Sequence, residues 1–422
     1  MSTIFAPITG RGGAVTVLRL SGPATLGITR ELAGEPPPPR RASLRPLIYA
    51  GRRLDEALIV TFPAPHSFTG EDVAEFSLHG GRAVLAAVSE ALAALGARPA
   101  EPGEFSRRAH QHGKMDLLQA EAMADLIAAE TEAQRAMALD GATSLHAACA
   151  SWRERLRQIM ARQEALIDFP DEDLPLEVEA ALLSGIAALR DEMHTALTAA
   201  PAAERLREGL EFVILGAPNA GKSTLLNALA GEDIAIVSDI PGTTRDAVGV
   251  RVDLGGVPVH ITDTAGLRDT VDVIEAEGVK RARAKAAKAD FLLLVAAPGE
   301  DFPEAPPGIP SLPIHTKSDL DPTGDFSVSA KNGQGMAALR EKLAEAAQEL
   351  TDTKGAATLA RPRQIACVRD TEAALDAALQ LDDPELRGEE LRTAAHALAR
   401  LVGIIGVEEI LDAVFSGFCI GK

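Results

Sequence analysis

The sequence is poor in aromatic and sulfur-containing side chains. With one Trp (Trp152), one Tyr (Tyr49) and an aromatic share of 3%, it has too few flat rings for a base-stacking platform of the kind that holds single-stranded nucleic acid. Three widely separated cysteines, Cys149, Cys367 and Cys419, do not make a disulfide framework and suit a reducing compartment. No apolar run approaches the ~20 residues that cross a bilayer. The start, MSTIFAPITGRGG, lacks the basic and apolar regions of a secretory signal. A cytoplasmic protein without membrane attachment is therefore expected. Positive charge is also scarce: the net charge of −19 at pH 7 excludes a protein that coats nucleic acid non-specifically. The shortage is uneven, because residues 1–112 hold 12 Arg, no Lys and 10 acidic residues. RNA contact is expected through this part or through a basic partner.

What is present fits a multidomain globular chain. The 422 residues, 46% hydrophobic and 24% charged, make about three domains at ~150 residues each. Residues 1–112 read as an α+β domain. Apolar strands are expected at 14–20, 58–62 and 72–79, and a helix over 82–95 ending at Gly96. In 72–79, Ala74, Phe76 and Leu78 share one face, with Glu75, Ser77 and His79 on the other. Pro36–Pro39 form a stiff spacer. Residues 116–167 have helical spacing with one Gly and no Pro, which predicts long helices broken at Phe169-Pro170-Asp171. Helical character continues to about Arg207 and returns over 356–415. The expected layout is an N-terminal domain (1–112), a helical domain in two pieces (113–207 and 356–422), and an α/β domain (208–355) inserted between them. There is no tandem repeat.

The inserted segment carries the most specific motif. An apolar strand, Phe212 to Leu215, leads into Gly216-x4-Gly221-Lys222-Ser223 and then a helix, the strand–loop–helix context of a phosphate-binding P-loop. Its glycines let backbone N–H groups turn onto phosphates at a helix N-terminus. Lys222 would reach the β- and γ-phosphates and Ser223 would ligate Mg²⁺. Asp263-Thr264-Ala265-Gly266 follows the strand 257–262. There Asp263 suits the Mg²⁺ side and the Gly266 amide suits the γ-phosphate. Between the two, Gly242-Thr243-Thr244-Arg245-Asp246 supplies a Thr that can close over Mg²⁺. Thr316-Lys317-Ser318-Asp319 is like the guanine-reading Asn-Lys-x-Asp loop, with Asp319 accepting from guanine N1–H and the exocyclic amine. Ser329-Ala330-Lys331 matches the loop behind the base. Thr316 stands where Asn is usual, which bears on loop rigidity more than on base identity. Leu267 occupies the place of the water-orienting Gln of Ras-like enzymes, so hydrolysis must draw on another group.

Taken together, GAPNAGKSTLLNALAG, SDIPGTTRD, DTAGLRDTVDVIEAEG and the terminal FCIGK resemble the MnmE (TrmE) family of tRNA-modification GTPases. The resemblance extends through SFTGEDVAEF, RPAEPGEFSRRA, KMDLLQAEAMADLI and DFPDED, and so spans essentially the whole chain, more weakly over 24–56 and 297–313. It implies a folate-binding α+β domain, an all-α domain and an inserted α/β P-loop GTPase domain. It implies a homodimer that works with the FAD-dependent MnmG (GidA) protein at carbon 5 of the wobble uridine of certain tRNAs. A 5-formyl- or 5,10-methylene-tetrahydrofolate would supply the one-carbon unit, and FAD would sit on the partner.

Carried over by residue, the resemblance implies nucleotide contacts from Asn219, Ala220, Gly221, Lys222, Ser223 and Thr224, from Ser238, Thr243 and Thr244, and from Asp263, Thr264, Ala265 and Gly266. Lys317, Asp319, Ser329, Ala330 and Lys331 would surround the base. Ser223 and Thr244 match the Mg²⁺ ligands, and Asn219, Ser238, Ile240 and Thr243 match the potassium site. Lys222 and Glu275 match catalytic groups. Arg19, Glu75, Lys114 and Lys422 match folate contacts. By themselves Glu275 reads as a solvated helix start, Asn219 as a turn residue after Pro218 and Arg19 as a rim charge. Cys419 beside Lys422 is either a thiol of lowered pKa, and then a possible catalytic residue, or a structural cysteine. A C-terminal Lys does not fit a prenylation box. The competing reading is an Era-like GTPase that switches RNA or ribosome assembly; this chain lacks the basic appendage that reading needs. The base assignment has a direct check. Asp319→Asn should move preference from guanine to xanthine nucleotides, and equal competition by ATP and GTP at the wild-type site would contradict it.

Overall fold

A computed structural model of the chain describes residues 2–10, 12–168, 176–231, 249–263, 284–321, 326–403 and 421. The chain divides into two compact units, Met1–Ala124 with Ala399–Lys422, and Asp125–Leu398.

The first unit is built on a sheet of β1 (Ile4–Pro7), β2 (Val15–Ser21), β3 (Ser43–Tyr49), β4 (Arg52–Phe62), β5 (Val73–His79) and β6 (Arg98–Pro99). Its strand order is β3-β4-β5-β2-β1-β6, antiparallel except for the β1–β6 pair. Helices α1 (Thr25–Ala33) and α2 (Arg82–Ala94) cover one face. There Leu18, Leu20, Ala57, Ile59, Ala74, Phe76 and Leu78 meet Ile28, Leu32, Val88 and Leu92 in one core. Period-2 alternation puts Val17, Arg19, Glu75 and Ser77 on the other face, as the pattern over 72–79 predicts. That outer face also carries exposed Leu44 (62%), Leu58 (42%) and Val15 (54%).

A buried ionic network backs the loop between β4 and β5. From α3 (Glu104–Gln111), Arg108 donates Nη1 to Glu71 Oε2 (2.9 Å) and to the Ser2 carbonyl (2.8 Å), and Nη2 to Glu104 Oε1 (2.8 Å). Arg98 also bonds Glu104. Ser21 Oγ reaches Glu71 Oε2 (2.9 Å) and lies 2.7 Å from the Thr69 hydroxyl. His112 Nδ1 donates to Thr69 O (2.7 Å). Burial opposes ionisation of Glu104, but hydrogen bonds from Arg98, the Glu101 N–H and Arg108 outweigh it and hold its carboxyl below the ordinary range.

The second unit opens with the end of α4 (Leu117–Ala128), then α5 (Glu132–Ala136), a π-helical segment over Met137–Gly141, α6 (Ala142–Asp168) and α7 (Leu176–Glu208). The helical run from 116 is thus interrupted around residue 130, earlier than the expected break at 169–171, which lies outside the described residues. Thr131 caps α5 by accepting from the Gln134 N–H, and Gln134 Oε1 takes the Glu130 N–H (2.8 Å). Continuous apolar spacing hides this stop, but Thr131-x-x-Gln134 is a capping-box sequence. Buried Leu145, Cys149, Trp152, Leu156 and Ile159 on α6, and Leu182, Ile186, Leu189 and Met193 on α7, recur at four and three residues. That spacing makes a continuous seam between the two helices.

The α/β part comprises β7 (Leu210–Gly216), α8 (Lys222–Ala230), β8 (Gly249–Leu254), β9 (Val257–Asp263), β10 (Phe291–Ala296), β11 (Ser311–His315) and α9 (Met336–Thr351). Strand order is β11-β10-β7-β9-β8, with β8 antiparallel to β9 and the other pairs parallel. Helices α10 (Pro362–Leu379) and α11 (Pro384–Val402) return to the bundle. Arg207, just before β7, donates to the carbonyl of Ala360 (2.8 Å), so the chain enters and leaves the sheet at one place. Asp125 accepts from Arg361 there (2.7 Å), Arg251 pairs with Glu130 (2.9 Å), and the Ala133 N–H donates to Gly256 O (3.1 Å). One short stretch, 125–134, thereby docks the sheet on the helices.

Arg108 is the testable element. Its side chain is 6% exposed, so Arg108→Ala leaves the buried Glu71 carboxylate without its guanidinium, and Glu104 with Arg98 alone, at a cost of about 3–5 kcal/mol. Hydrogen exchange over residues 2–111 should accelerate in this variant, and unchanged protection would refute the account. Stability from Glu104 is complete above its unfolded pKa of ~4.3 and falls away as pH drops through the lower folded value.

Candidate functional site

The described motif residues of the α/β part, 216–223, Asp263, 316–319 and 329–331, converge at the C-terminal ends of its parallel strands, where open α/β sheets bind ligands. β7 is buried along nearly its whole length, so only the loop after it can face a ligand. That loop turns through two left-handed residues, Asn219 (φ 66°) and Gly221 (φ 92°). Gly221 is the N-cap of α8, aiming the free N–H groups of the first helical turn at the loop's concavity. A Cβ on Gly216 would collide with the Val295 carbonyl, so the first glycine of the motif is required by the neighbouring strand. Lys222 is 5% exposed and curls back, Nζ donating to the carbonyls of Gly216 (3.0 Å) and Ala217 (2.7 Å). Ser223 Oγ, at the start of α8, donates to Asp263 Oδ2 (2.6 Å), at the end of β9.

Two further loops close the group. Thr316 follows β11, and its hydroxyl donates to the Ala220 carbonyl (2.5 Å). Thr in place of Asn therefore leaves the base-side loop tied to the phosphate-side loop. Lys317 adopts a left-handed turn (φ 55°), and the Ser318 N–H donates to Val328 O (3.2 Å). Asp319 Oδ1 accepts from Ser329 Oγ (2.8 Å), joining the motifs at 316–319 and 329–331 directly. Thr224 and Lys331 are exposed and Ala330 is half-buried beside them. Ser238, Ile240, Thr243, Thr244, Thr264, Ala265, Gly266, Leu267 and Glu275 lie outside the described residues, as do Cys419 and Lys422. This arrangement offers backbone N–H groups and one ammonium for phosphates, two oxygen donors for a hard cation, and a fixed carboxylate for a base edge.

A second candidate site lies in the first unit. Arg19 and Glu75 are direct cross-strand partners of β2 and β5. Arg19 donates Nε (2.9 Å) and Nη2 (2.8 Å) to Glu75 Oε1. The Arg19 guanidinium also stands 4.9 Å over the ring of Phe68. Lys114 is exposed, with its Cε beside Gly70 in the loop that carries Phe68. Gly421 (φ 108°) packs so closely on the end of β1 that a Cβ there would collide with the Pro7 carbonyl. The chain end is thereby returned to this domain. The sequence reading missed Phe68, and it missed the Glu71–Arg108 support behind the loop. Glu104 and Arg108, four residues apart on a helix, were visible as a pair; the Glu71 partner, 37 residues away, has no local signal.

Comparison with known proteins gives matches over both units. Residues 117–419 match the family model described as the MnmE helical domain, and residues 3–114 that described as the GTP-binding protein TrmE N-terminus. A protein of Acidiphilium cryptum named tRNA modification GTPase MnmE is 60% identical, with 99% of this chain and 98% of that one covered. Proteins of the same name from Gluconacetobacter diazotrophicus and Rhodospirillum rubrum are 52% and 47% identical. They cover 99% and 100% of this chain, and 98% and 100% of their own lengths. Among solved structures, Era of Aquifex aeolicus bound to GDP.AlF4- is 24% identical over 42% of this chain and 69% of that one. Its TM-score of 0.26 carries no weight.

Gly221 gives a check on the loop. Gly221→Ala would force a side chain into a left-handed residue at about 1–2 kcal/mol, with its Cβ 3.4 Å from Thr316 Oγ1. A lower thermal midpoint is expected, and an unchanged one would contradict the loop geometry.

Proposed function

The chain belongs to the MnmE (TrmE) family and is a GTP-hydrolysing enzyme of tRNA modification, and from that premise we propose that hydrolysis drives aminomethyl or carboxymethylaminomethyl addition at carbon 5 of a wobble uridine. The observation that carries this reading is the closed set of contacts at the strand ends, Ser223 to Asp263 and Asp319 to Ser329. Guanine would be read by Asp319, with Lys317 beneath it and the loop of Ser329, Ala330 and Lys331 behind it. Lys222 would leave the Gly216 and Ala217 carbonyls for the β- and γ-phosphates.

Ser223 and Asp263 are oxygen donors of the type a Mg²⁺ ion takes, and Ser223 with Thr244 would ligate it. Bound there, the ion would neutralise phosphate charge. Asn219, with Ser238, Ile240 and Thr243, would hold K⁺. Glu275 would orient the attacking water, a task the apolar Leu267 cannot perform.

The one-carbon unit would come from a tetrahydrofolate held by Arg19, Glu75, Lys114 and Lys422. Both bonds from Arg19 fall on Glu75 Oε1, so Oε2 would meet the donors of a pterin edge. The packing of Gly421 on β1 supports the reach of Lys422 to this face. Cys419, three residues before Lys422, would supply a catalytic thiol. The cross-strand row of Leu44, Leu58 and Ser77 places two exposed leucines on the face of the Arg19–Glu75 pair. That surface suits a second copy of the chain, and the pair would then lie next to a homodimer interface. The FAD-dependent MnmG protein and tRNA would complete the assembly, in the cytoplasm.

Nucleoside analysis of tRNA tests the reading. A strain lacking this protein should lose the carbon-5 modification of the wobble uridine and regain it with the wild-type gene. Complementation by Glu75→Ala or Glu275→Ala should fail. Full modification in the deletion strain would overturn the proposal.

A further inference from the structure

We propose that His112 is a positioning residue for the tetrahydrofolate site, fixing through one hydrogen bond the loop that sets Phe68 against Arg19. The role rests on the folate reading above. The loop between β4 and β5 turns through Gly70 in a left-handed conformation (φ 80°). With no Cβ to resist rotation, a glycine leaves the peptide plane before it soft. The orientation of the Thr69–Gly70 peptide is then set by what its carbonyl meets. His112 Nδ1 lies 2.7 Å from Thr69 O. A carbonyl only accepts, so the imidazole carries a proton on Nδ1 and donates it.

The other contacts of this loop grip different atoms. The Thr69 hydroxyl meets Ser21 Oγ (2.7 Å), and the Glu71 carboxylate takes Arg108 (2.9 Å). Both hold side chains and leave the intervening peptide to His112. Packing supports the same assignment, because a Cβ on Gly70 would stand 2.8 Å from His112 Cβ and 3.2 Å from Lys114 Cε. The end of α3 therefore lies directly on the turn. His112 is the C-cap of that helix, with its own N–H donating to Arg108 O (2.9 Å), so the imidazole is mounted on a fixed support. One residue before the held carbonyl, Phe68 packs on Ile4, Ala6, Ala100 and Phe105. Its ring also lies 4.9 Å under the Arg19 guanidinium, which bonds Glu75. The peptide that His112 holds thus sets the ring on which the Arg19–Glu75 pair rests.

Calorimetry of the full-length protein with 5-formyltetrahydrofolate tests this. The proteins compared are the wild type, His112→Asn, His112→Leu, Phe68→Leu, and the Phe68→Leu protein carrying His112→Leu. Asparagine places an N–H on the atom that replaces Nδ1, whereas leucine keeps that shape without a donor. Folate affinity should fall about fivefold to tenfold in His112→Leu and stay within about twofold of wild type in His112→Asn. In the Phe68→Leu background, His112→Leu should cost less than about twofold, because residues that act through one another are not additive. A merely structural histidine would shift the thermal midpoint and act equally in both backgrounds. Equal action, wild-type affinity in His112→Leu, or an asparagine variant as weak as leucine overturns the proposal. Absence of folate binding by the wild type would instead remove the folate reading, and the role of His112 with it.

Discussion

A parallel strand buried on both faces cannot present side chains to a ligand, so its chemistry has to be placed in the loop at its end. β7 imposes this constraint on the nucleotide site. Phe212, Val213 and Ile214 are enclosed by β9 and β10, and the chain can turn after them only where Gly216 lets the Val295 carbonyl approach. The phosphate loop and Asp263 are then neighbours because β7 and β9 are neighbours, and the base-side loop after β11 crosses the end of β10, where the Thr316 N–H donates to the Ala296 carbonyl. Hydroxyl groups make the final joints, at Ser223, Thr316 and Ser329. Each bond is short, and each joins two segments that are distant in the sequence.

The first unit solves a different problem. Its sheet has one face packed by helices and one face bearing the Arg19–Glu75 pair among apolar side chains. The loop that adds Phe68 to that face packs the ring on a small cluster of Ile4, Ala6, Ala100 and Phe105. It is also held by charge burial, with Arg108 bonding Glu71 and Glu104 at once. With Arg98 as the second partner of Glu104, two guanidinium groups face two carboxylates, which is the condition under which buried ions are tolerated.

Local chemistry was legible in the sequence and lateral chemistry was not. The alternation over 72–79 placed Glu75 on its correct face, and the strand–loop–helix context placed Lys222 and Ser223. Both patterns repeat within a few residues. The Thr316–Ala220 bond joins positions 96 apart and the Glu71–Arg108 pair positions 37 apart; neither leaves a periodic trace. The stop near residue 130 was legible and overlooked, because apolar spacing on both sides outweighed the Thr131-x-x-Gln134 cap.

The single tryptophan has a practical meaning. Trp152 is fully buried in the α6–α7 seam, with its indole N–H donating to Glu192 Oε1 (2.8 Å). Its emission therefore comes from one dry, hydrogen-bonded environment inside the second unit. The first unit contributes only the weak signal of Tyr49. Intrinsic fluorescence of this chain is a local gauge of the helical seam. A melting curve recorded in that light would miss the first unit, so the loss of the Arg19–Glu75 face would have to be followed by another probe.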